Sequence, residues 1–441
     1  MRKGLIRNIF LAIALVLCAL PLSAQDEAFG SFSPYSMYGI GDRFTPGSAY
    51  NKSMGGIGIA TRDKRNVNIL NPAAVTERDP QSVMVDFSLI EGNRYFSQGN
   101  MRSSNNTFNI NDIVMTFPVW KSLAMYAGMS PYSSIGYKVS SWETDSNILA
   151  LTGAILNTVE GYGSLSQVFL GGGFTPFKGF SLGGEAKYIF GNLHKDNSFE
   201  MSTSSFRSIK SGYTLGLGAF TGKVGVQYAF PISNKASMVL GGTYEFAADL
   251  KGTVDRFEVQ TISSINDSTP SPRTFSDKLK KGSVRLAGEM AFGIALKGGD
   301  KWTAEVNYRR SDWTSSGMDK VTGFANVGNV VFSASKAQSV RAGMSFVPNR
   351  NDVRYYRKTI TYRAGTYWDQ AYCNIDGNAL NAFGLTFGAT LPVFQLNNGL
   401  TVGVDIGQRG MKSGSMLRER YINFTVGLNV HDIWFIKQRY E

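Results

Sequence analysis

A ten-residue segment close to the C-terminus alternates strictly between apolar and polar or small residues. One face carries Ile422, Phe424, Val426, Leu428 and Val430, and the other carries Asn423, Thr425, Gly427, Asn429 and His431. Because successive side chains of a β-strand point to opposite sides, one side of this strand meets a nonpolar phase and the other a polar one. This pattern is typical of a membrane barrel wall, although a half-buried strand of a soluble β-sandwich shares it.

Two aromatic residues, Trp434 and Phe435, follow this strand directly. Aromatic side chains concentrate where a barrel wall meets the lipid headgroups. We therefore expect Trp434 and Phe435 to belong to a periplasmic aromatic girdle, and the strand before them to close an outer-membrane barrel.

The N-terminus predicts export. Arg2, Lys3 and Arg7 precede an uncharged apolar stretch from Leu11 to Leu22, and a small residue, Ala24, follows. The apolar stretch is shorter than the roughly 20 residues that a spanning helix needs. Residues 1–24 are thus predicted to be a cleaved signal peptide.

Amino-acid composition excludes some classes of protein but does not identify one. The chain has 49 glycines, 12% aromatic residues and a formal net charge of +12. No dense basic cluster indicates nucleic-acid binding, and two histidines with two cysteines give little material for a metal site. We expect no cofactor and no metal.

Prolines mark most of the short connections that we predict between strands. Short connections are predicted at 118–122, 176–179, 231–235, 298–300, 348–357 and 392–399, and five of the six open with proline, which ends a hydrogen-bonded strand. Longer polar connections are predicted near 91–107, 143–160, 192–210, 263–280, 311–336, 370–378 and 410–419. Outer-membrane barrels have short turns on the periplasmic side. The count is about fourteen antiparallel strands, an all-β transmembrane barrel with both termini in the periplasm.

Residues 25–80 do not follow this strand rhythm. They are too apolar for a linker and too irregular for a strand, and a fourteen-strand barrel has a lumen wide enough to need filling. The predicted organisation is a signal peptide (1–24), an N-terminal hatch inside the barrel (25–80) and the barrel itself (81–441).

At this point the chain resembles the FadL-type family of outer-membrane transporters of long-chain fatty acids and hydrocarbons, particularly its members in Bacteroidota. The resemblance lies in a hatch-like pattern, in a motif before Tyr137 and in the closing residues: Met54-Gly55-Gly56-Ile57-Gly58-Ile59-Ala60, Asn71-Pro72-Ala73-Ala74, Gly128-Met129-Ser130-Pro131-Tyr132-Ser133, Gly136-Tyr137 and Trp434-Phe435-Ile436-Lys437. It implies a fourteen-strand barrel plugged by an N-terminal hatch. Met54, Gly55, Gly56, Asn71 and Pro72 are the expected hatch motif.

The resemblance also implies a role for Pro131 in the barrel wall. Proline inside a strand deletes a ladder hydrogen bond, which is costly in lipid unless the defect faces a lumen or an opening. In the FadL-type family an inward kink of the third strand opens a lateral gap through which apolar ligand leaves. Pro131, Tyr132, Ser133 and Ser134 are the candidate kink, and an ordinary β-bulge is the alternative.

Two functions of different class follow. The first is passive passage of small hydrophobic molecules, with outer-membrane lipid and a fatty-acid-like ligand as partners. The second is a non-transporting accessory subunit of a larger outer-membrane complex, for protein assembly or type IX secretion, with protein partners. Neither needs a catalytic residue, and none is predicted.

Overall fold

The computed structural model describes residues 30–79, 81–203, 206–261, 273–324, 331–393, 398–411 and 416–433. The predicted signal peptide and the predicted girdle residues Trp434 and Phe435 lie outside this part of the chain. Within it, no helix is both long enough and apolar enough to span a membrane.

Fourteen antiparallel strands form a closed barrel, which confirms the predicted fold class and strand number. Four of them are built from two segments. They are β1 (Ser82–Gln98), β2 (Met101–Pro118), β3 (Leu123–Ser134 and Tyr137–Trp142), β4 (Ile155–Phe177), β5 (Phe180–Met201), β6 (Ser208–Ser233), β7 (Ala236–Glu245 and Lys251–Thr261), β8 (Arg273–Lys278 and Glu289–Gly298), β9 (Trp302–Asp312), β10 (Phe332–Ala334 and Lys336–Phe346), β11 (Thr361–Ile375), β12 (Asn378–Pro392), β13 (Gly399–Arg409) and β14 (Arg418–Ile433).

The barrel closes between its first and last strands. Strands β1 and β14 pair from Ser82 opposite Ile433 to Ser97 opposite Arg418. A closed wall leaves no sheet edge along this line, so every backbone group there has a partner in the low-dielectric membrane.

Alternation along β14 sorts its residues between lipid and lumen. Phe424, Val426 and Leu428 are exposed on the outer surface, whereas Thr425 and Asn429 are buried inside. The nonpolar phase inferred from the sequence is therefore outside the barrel, and the polar one is its filled interior.

Several long connections predicted from the sequence are in fact strand. Within 91–107 and 370–378, only residues 99–100 and 376–377 are turns, and the rest is strand. Most of 192–210 belongs to β5 and β6. Near 91–107 and 192–210 these strand ends carry mostly polar residues on both faces, so the alternation that indicates a strand is weak there.

Four short elements lie between residues 30 and 79: a 3₁₀ helix (Pro34–Met37), a two-residue strand (Asp42–Arg43), an α-helical turn (Ala49–Lys52) and a second 3₁₀ helix (Pro72–Thr76). Elsewhere there are an α-helix (Ser146–Thr152), a 3₁₀ helix (Tyr356–Lys358) and a pair of two-residue strands (Ala248–Asp249 and Arg285–Leu286). Residues 30–79, here called the inner segment, contact inward-facing residues of strands around the wall. Their status as a separate hatch domain stays a prediction.

Candidate functional site: the lumen and the seam beside β3

The glycine pair of the predicted hatch motif sits against β10, β11 and β12. Gly55 and Gly56 both have a φ of +73°, a left-handed conformation that suits glycine. The Gly55 amide donates to Thr386 Oγ1 at 2.7 Å, and Arg341 Nη1 donates to the Gly55 carbonyl at 3.0 Å. The adjacent Met54 is completely buried. This turn is thus held on the wall through its backbone.

Asn71 and Pro72 lie on the opposite side, against β5 and β6. The Asn71 side chain caps the second 3₁₀ helix by accepting from the Ala73 amide at 3.0 Å. Its Nδ2 donates to the carbonyls of Ile59, at 2.8 Å, and Val226, at 3.1 Å. One asparagine therefore ties the inner segment both to itself and to the wall.

Glu305 on β9 is a third anchor. Its carboxylate accepts hydrogen bonds from the amides of Gly58 and Ala60, at 3.1 and 2.9 Å, and from the Thr61 hydroxyl. The side chain is buried. Charge-assisted hydrogen bonds of this kind are about twice as strong as neutral ones.

Ion pairs fix the start of the inner segment to the closing strands. Arg409 of β13 binds both Asp42 and Glu419, and Arg94 of β1 binds Glu419 at 2.5 Å. Ser33 donates to Glu419 at 2.7 Å. Burial raises the pKa of Asp42, but Arg409 and Arg94 outweigh that effect and hold the pKa below its ordinary value. Asp42 is therefore a carboxylate at neutral pH.

A second charged cluster lies on the β5–β7 side of the lumen. Lys187 pairs with Glu245 at 2.8 Å, and Lys223 pairs with Glu185 at 3.3 Å. Lys223 Nζ also donates to the carbonyl of Ile69, at 3.1 Å, which belongs to the inner segment. Glu185 is one of five strand carboxylates that lie in the lumen: Asp86, Glu185, Glu289, Glu305 and Asp405.

A cavity of about 320 Å³ remains between the inner segment and the wall. Its lining includes the charged side chains of Lys52, Arg341, Asp369 and Asp405. Burial lowers the pKa of Lys52 to about 8. Charged and apolar side chains thus line this chamber together. In the described part of the chain, His, Cys, Asp and Glu residues form no group that could hold a metal ion.

Strand pairing is incomplete next to β3. Strands β2 and β3 pair only from Ile113 opposite Met129 to Pro118 opposite Ala124, so residues 101–112 of β2 pair with β1 alone. The inner segment approaches this seam from inside, where Asn111 Nδ2 donates to the Gly47 carbonyl at 3.1 Å.

The four candidate kink residues lie at this seam. The register of β3 against β4 shifts between Pro131 and Ser133, and Ser133 and Ser134 then pair with Arg43 and Asp42 of the inner segment. Tyr132 is buried and lies under the Arg43 guanidinium, 5.6 Å from its ring centre. Beyond Met129, strand β3 thus no longer pairs with β2; it stays paired with β4 and pairs on its other edge with the inner segment.

Glycines on the barrel strands are the one sequence signal that could have indicated these contacts. On ten strands an inward glycine lies where the inner segment approaches, and a Cβ there would be in tight contact or in collision with the segment. These glycines are Gly173, Gly183, Gly225, Gly241, Gly293, Gly343, Gly365, Gly388, Gly403 and Gly427. The partners of Glu305 and Arg409 had no such signal, because pairing across a lumen leaves no periodic trace in a sequence.

Three solved structures with a similar fold are named as a hydrocarbon channel or as toluene transporters. The CymD monoaromatic hydrocarbon channel matches with a TM-score of 0.56 and 11% identity, over 90% of this chain and 98% of its own. The toluene transporter TbuX of Ralstonia pickettii matches at 0.55 and 13%, over 87% and 97%. The toluene transporter TodX of P. putida matches at 0.57 and 12%, over 88% and 99%. At such identities the likeness concerns the fold.

A search of curated protein sequences finds no match. One family model, described as BamG, matches residues 5–441, which is nearly the whole sequence. The chain is therefore an outer-membrane barrel with the fold of the hydrocarbon channels, but its sequence matches the model of a family with a different name. The chain belongs to the BamG family.

Proposed function

We propose that this chain is a non-conducting barrel subunit of an outer-membrane complex that assembles outer-membrane proteins. The observation that carries the proposal is the fixation of the inner segment in the lumen. Glu305, Arg341 and Arg409 bind it from three different strands, each through a buried or half-buried charged group. A plug held in this way has to break several charge-assisted bonds before it can move.

The remaining cavity supports the same conclusion. Binding sites for hydrophobic molecules are lined mainly by apolar and aromatic side chains with few polar groups. The chamber in this lumen has apolar and aromatic lining residues too, but four charged side chains stand among them: Lys52, Arg341, Asp369 and Asp405. An apolar ligand in this chamber would cover these charged groups and remove their solvation, which costs free energy. The match to the BamG family gives further support to an accessory role of this kind.

In this proposal the barrel serves as a rigid membrane platform. Its wall contacts lipid, its lumen is blocked, and partners bind through strand ends and connections. We place the short turns and both chain ends in the periplasm, in keeping with the usual asymmetry of these barrels.

The test is purification from native membranes in a mild detergent, followed by mass spectrometry of proteins and lipids together. We expect partner proteins in fixed stoichiometry. Purified protein in liposomes should admit a hydrophobic fluorescent probe no faster than empty liposomes. A protein that purifies alone and accelerates probe entry would overturn the proposal.

The second candidate is passage of small hydrophobic molecules with a lateral exit, which the channel-like fold and the seam beside β3 favour. In this version Pro131 to Ser134 form the exit and the inner segment is the movable hatch. Replacing Pro131 with Val should then slow entry of the probe in liposomes. The matched control is Pro231→Val, in β6 near a short turn. Equal entry rates in both variants would remove the case for a lateral exit.

A further inference from the structure

The outer wall carries three arginines close together on β1's neighbours β2 and β14, at the end of the barrel where other strands have their longer connections. Ser97 of β1 lies opposite Arg102 on one side and opposite Arg418 on the other. Arg420, two residues further along β14, lies opposite Tyr95. Neighbouring strands are about 4.8 Å apart and residues rise about 3.3 Å along a strand. The three positions therefore lie within about 12 Å of one another.

These side chains point outward rather than into the lumen. Tyr421 is buried inside the barrel, and Arg420 next to it is exposed, as alternation requires. Arg102, Arg418 and Arg420 all line one groove on the outer surface. The arginine cluster thus faces the membrane environment.

No anionic side chain of the described residues neutralises this cluster. No carboxylate there lies within 4 Å of any of the three guanidinium groups, and the buried Nε of Arg418 has no hydrogen-bond partner. The residues paired with the arginines, Ser97 and Tyr95 among them, are uncharged. An isolated group of three guanidinium groups favours an anion.

The floor of the same groove is apolar. Phe383, Leu385 and Ile406 line it with about half of their surface exposed, and Ile422 completes it from β14. The outward apolar residues of β14 run from Ile422 to Val430, roughly 26 Å along the strand at 3.3 Å per residue. With a strand tilt of about 40°, this corresponds to roughly 20 Å of depth. Arg420 is the next outward residue beyond this band, at the level of the headgroups.

We propose that this groove binds a phosphorylated glycolipid of the lipid A class from the outer leaflet. Its phosphates would pair with Arg102, Arg418 and Arg420, since guanidinium forks match phosphate geometry. Its acyl chains would cover Phe383, Leu385 and Ile406. An anionic head above apolar chains is the one arrangement that satisfies both parts of the groove at this depth. The inference depends on the proposed orientation, with long connections outside, and is independent of the proposed function.

The experiment compares lipid retention by the full chain in detergent, measured by native mass spectrometry. The probes are diphosphoryl lipid A, monophosphoryl lipid A and phosphatidylglycerol. We expect one diphosphoryl lipid A per barrel, weaker binding of the monophosphoryl form, and at least tenfold weaker binding after Arg102→Gln, Arg418→Gln and Arg420→Gln together.

A matched control removes the same charge elsewhere: Arg256→Gln, Arg273→Gln and Arg310→Gln, three exposed arginines on other strands. It should retain lipid A as the wild type does. Equal loss in the control, or wild-type binding of phosphatidylglycerol as tight as that of lipid A, would overturn the assignment. So would an acidic protein that co-purifies and is lost only from the groove variant. Thermal denaturation of each variant separates lost binding from lost folding.

Discussion

Arg409 and Asp42 are joined by two parallel hydrogen bonds, at 2.8 and 2.9 Å, between a barrel strand and the inner segment. The two residues are 367 positions apart in the sequence. Bidentate arginine–carboxylate pairs fix orientation as well as distance. This pair therefore sets where the inner segment begins relative to the closing strands β13 and β14.

Replacing Arg409 with Met should destabilise the barrel and loosen the inner segment. The substitution leaves the carboxylates of Asp42 and Glu419 without one of their cations. Breaking a buried pair in this way costs about 3–5 kcal/mol. Chemical denaturation in detergent measures the cost, and Arg310→Met, at an exposed position, is the control. The double variant Arg409→Met with Asp42→Asn should recover part of the loss; no recovery would contradict the pairing.

Glu305 offers a local test of the anchoring. In Glu305→Ala the amides of Gly58 and Ala60 lose their acceptor, so they should exchange with deuterium at least tenfold faster. Mass spectrometry of peptides covering the inner segment reads this change. The control is Glu200→Ala, an exposed glutamate on β5. Unchanged exchange near Gly58 would show that other contacts hold this part of the segment.

A pH dependence is expected from Lys52. Its pKa in the folded barrel is about 8, below the ordinary value of about 10.4. Between these values the unfolded chain binds more protons, so stability rises with pH there and the cost of the buried ammonium is fully present below pH 8. Asp112 and Asp405 face Lys52 from β2 and β13, and Arg341 from β10.

Lys52→Met should therefore raise the thermal midpoint most at pH 7, and the gain should shrink as the pH approaches 10. The measurement is the difference in Tm between variant and wild type across this range. Lys301→Met, in an exposed turn, provides the control. A difference that does not vary with pH would contradict the lowered pKa.

Inward glycines of the wall can be tested by adding one methyl group. At Gly365 a Cβ would lie 2.6 Å from the carbonyl carbon of Met54, whereas at Gly184 on β5 it would meet nothing within 4 Å. Overpacking of this kind costs about 1–3 kcal/mol. Gly365→Ala should therefore unfold at lower denaturant than Gly184→Ala. Equal stability of the two would mean that the inner segment yields at Met54.

The features that sequence reasoning found are those with a local period. The amphipathic strand from Ile422 to Val430 and the prolines at the short turns indicated the closed wall and its strand number. The extent of the strands was missed at Asn105, Asn106 and neighbouring residues, because strands outside the lipid are polar on both faces. The contacts of Arg409 and Glu305 were missed for a different reason. They join residues hundreds of positions apart, and a single sequence has no pattern that pairs them.

The inward glycines also have a consequence for the order of assembly. Ten strands leave space for the inner segment at specific places, and the wall closes through β1 and β14, whose pairing requires nearly the whole chain. Residues 30–79 reach their place most directly before that last pairing forms, because afterwards the described part of the wall leaves them the two ends of the barrel and the seam beside β3. Retention of the segment then depends on the folding route as well as on its contacts. A chain whose inner segment is supplied later, as a separate peptide, should fail to rebuild the native barrel even at high concentration.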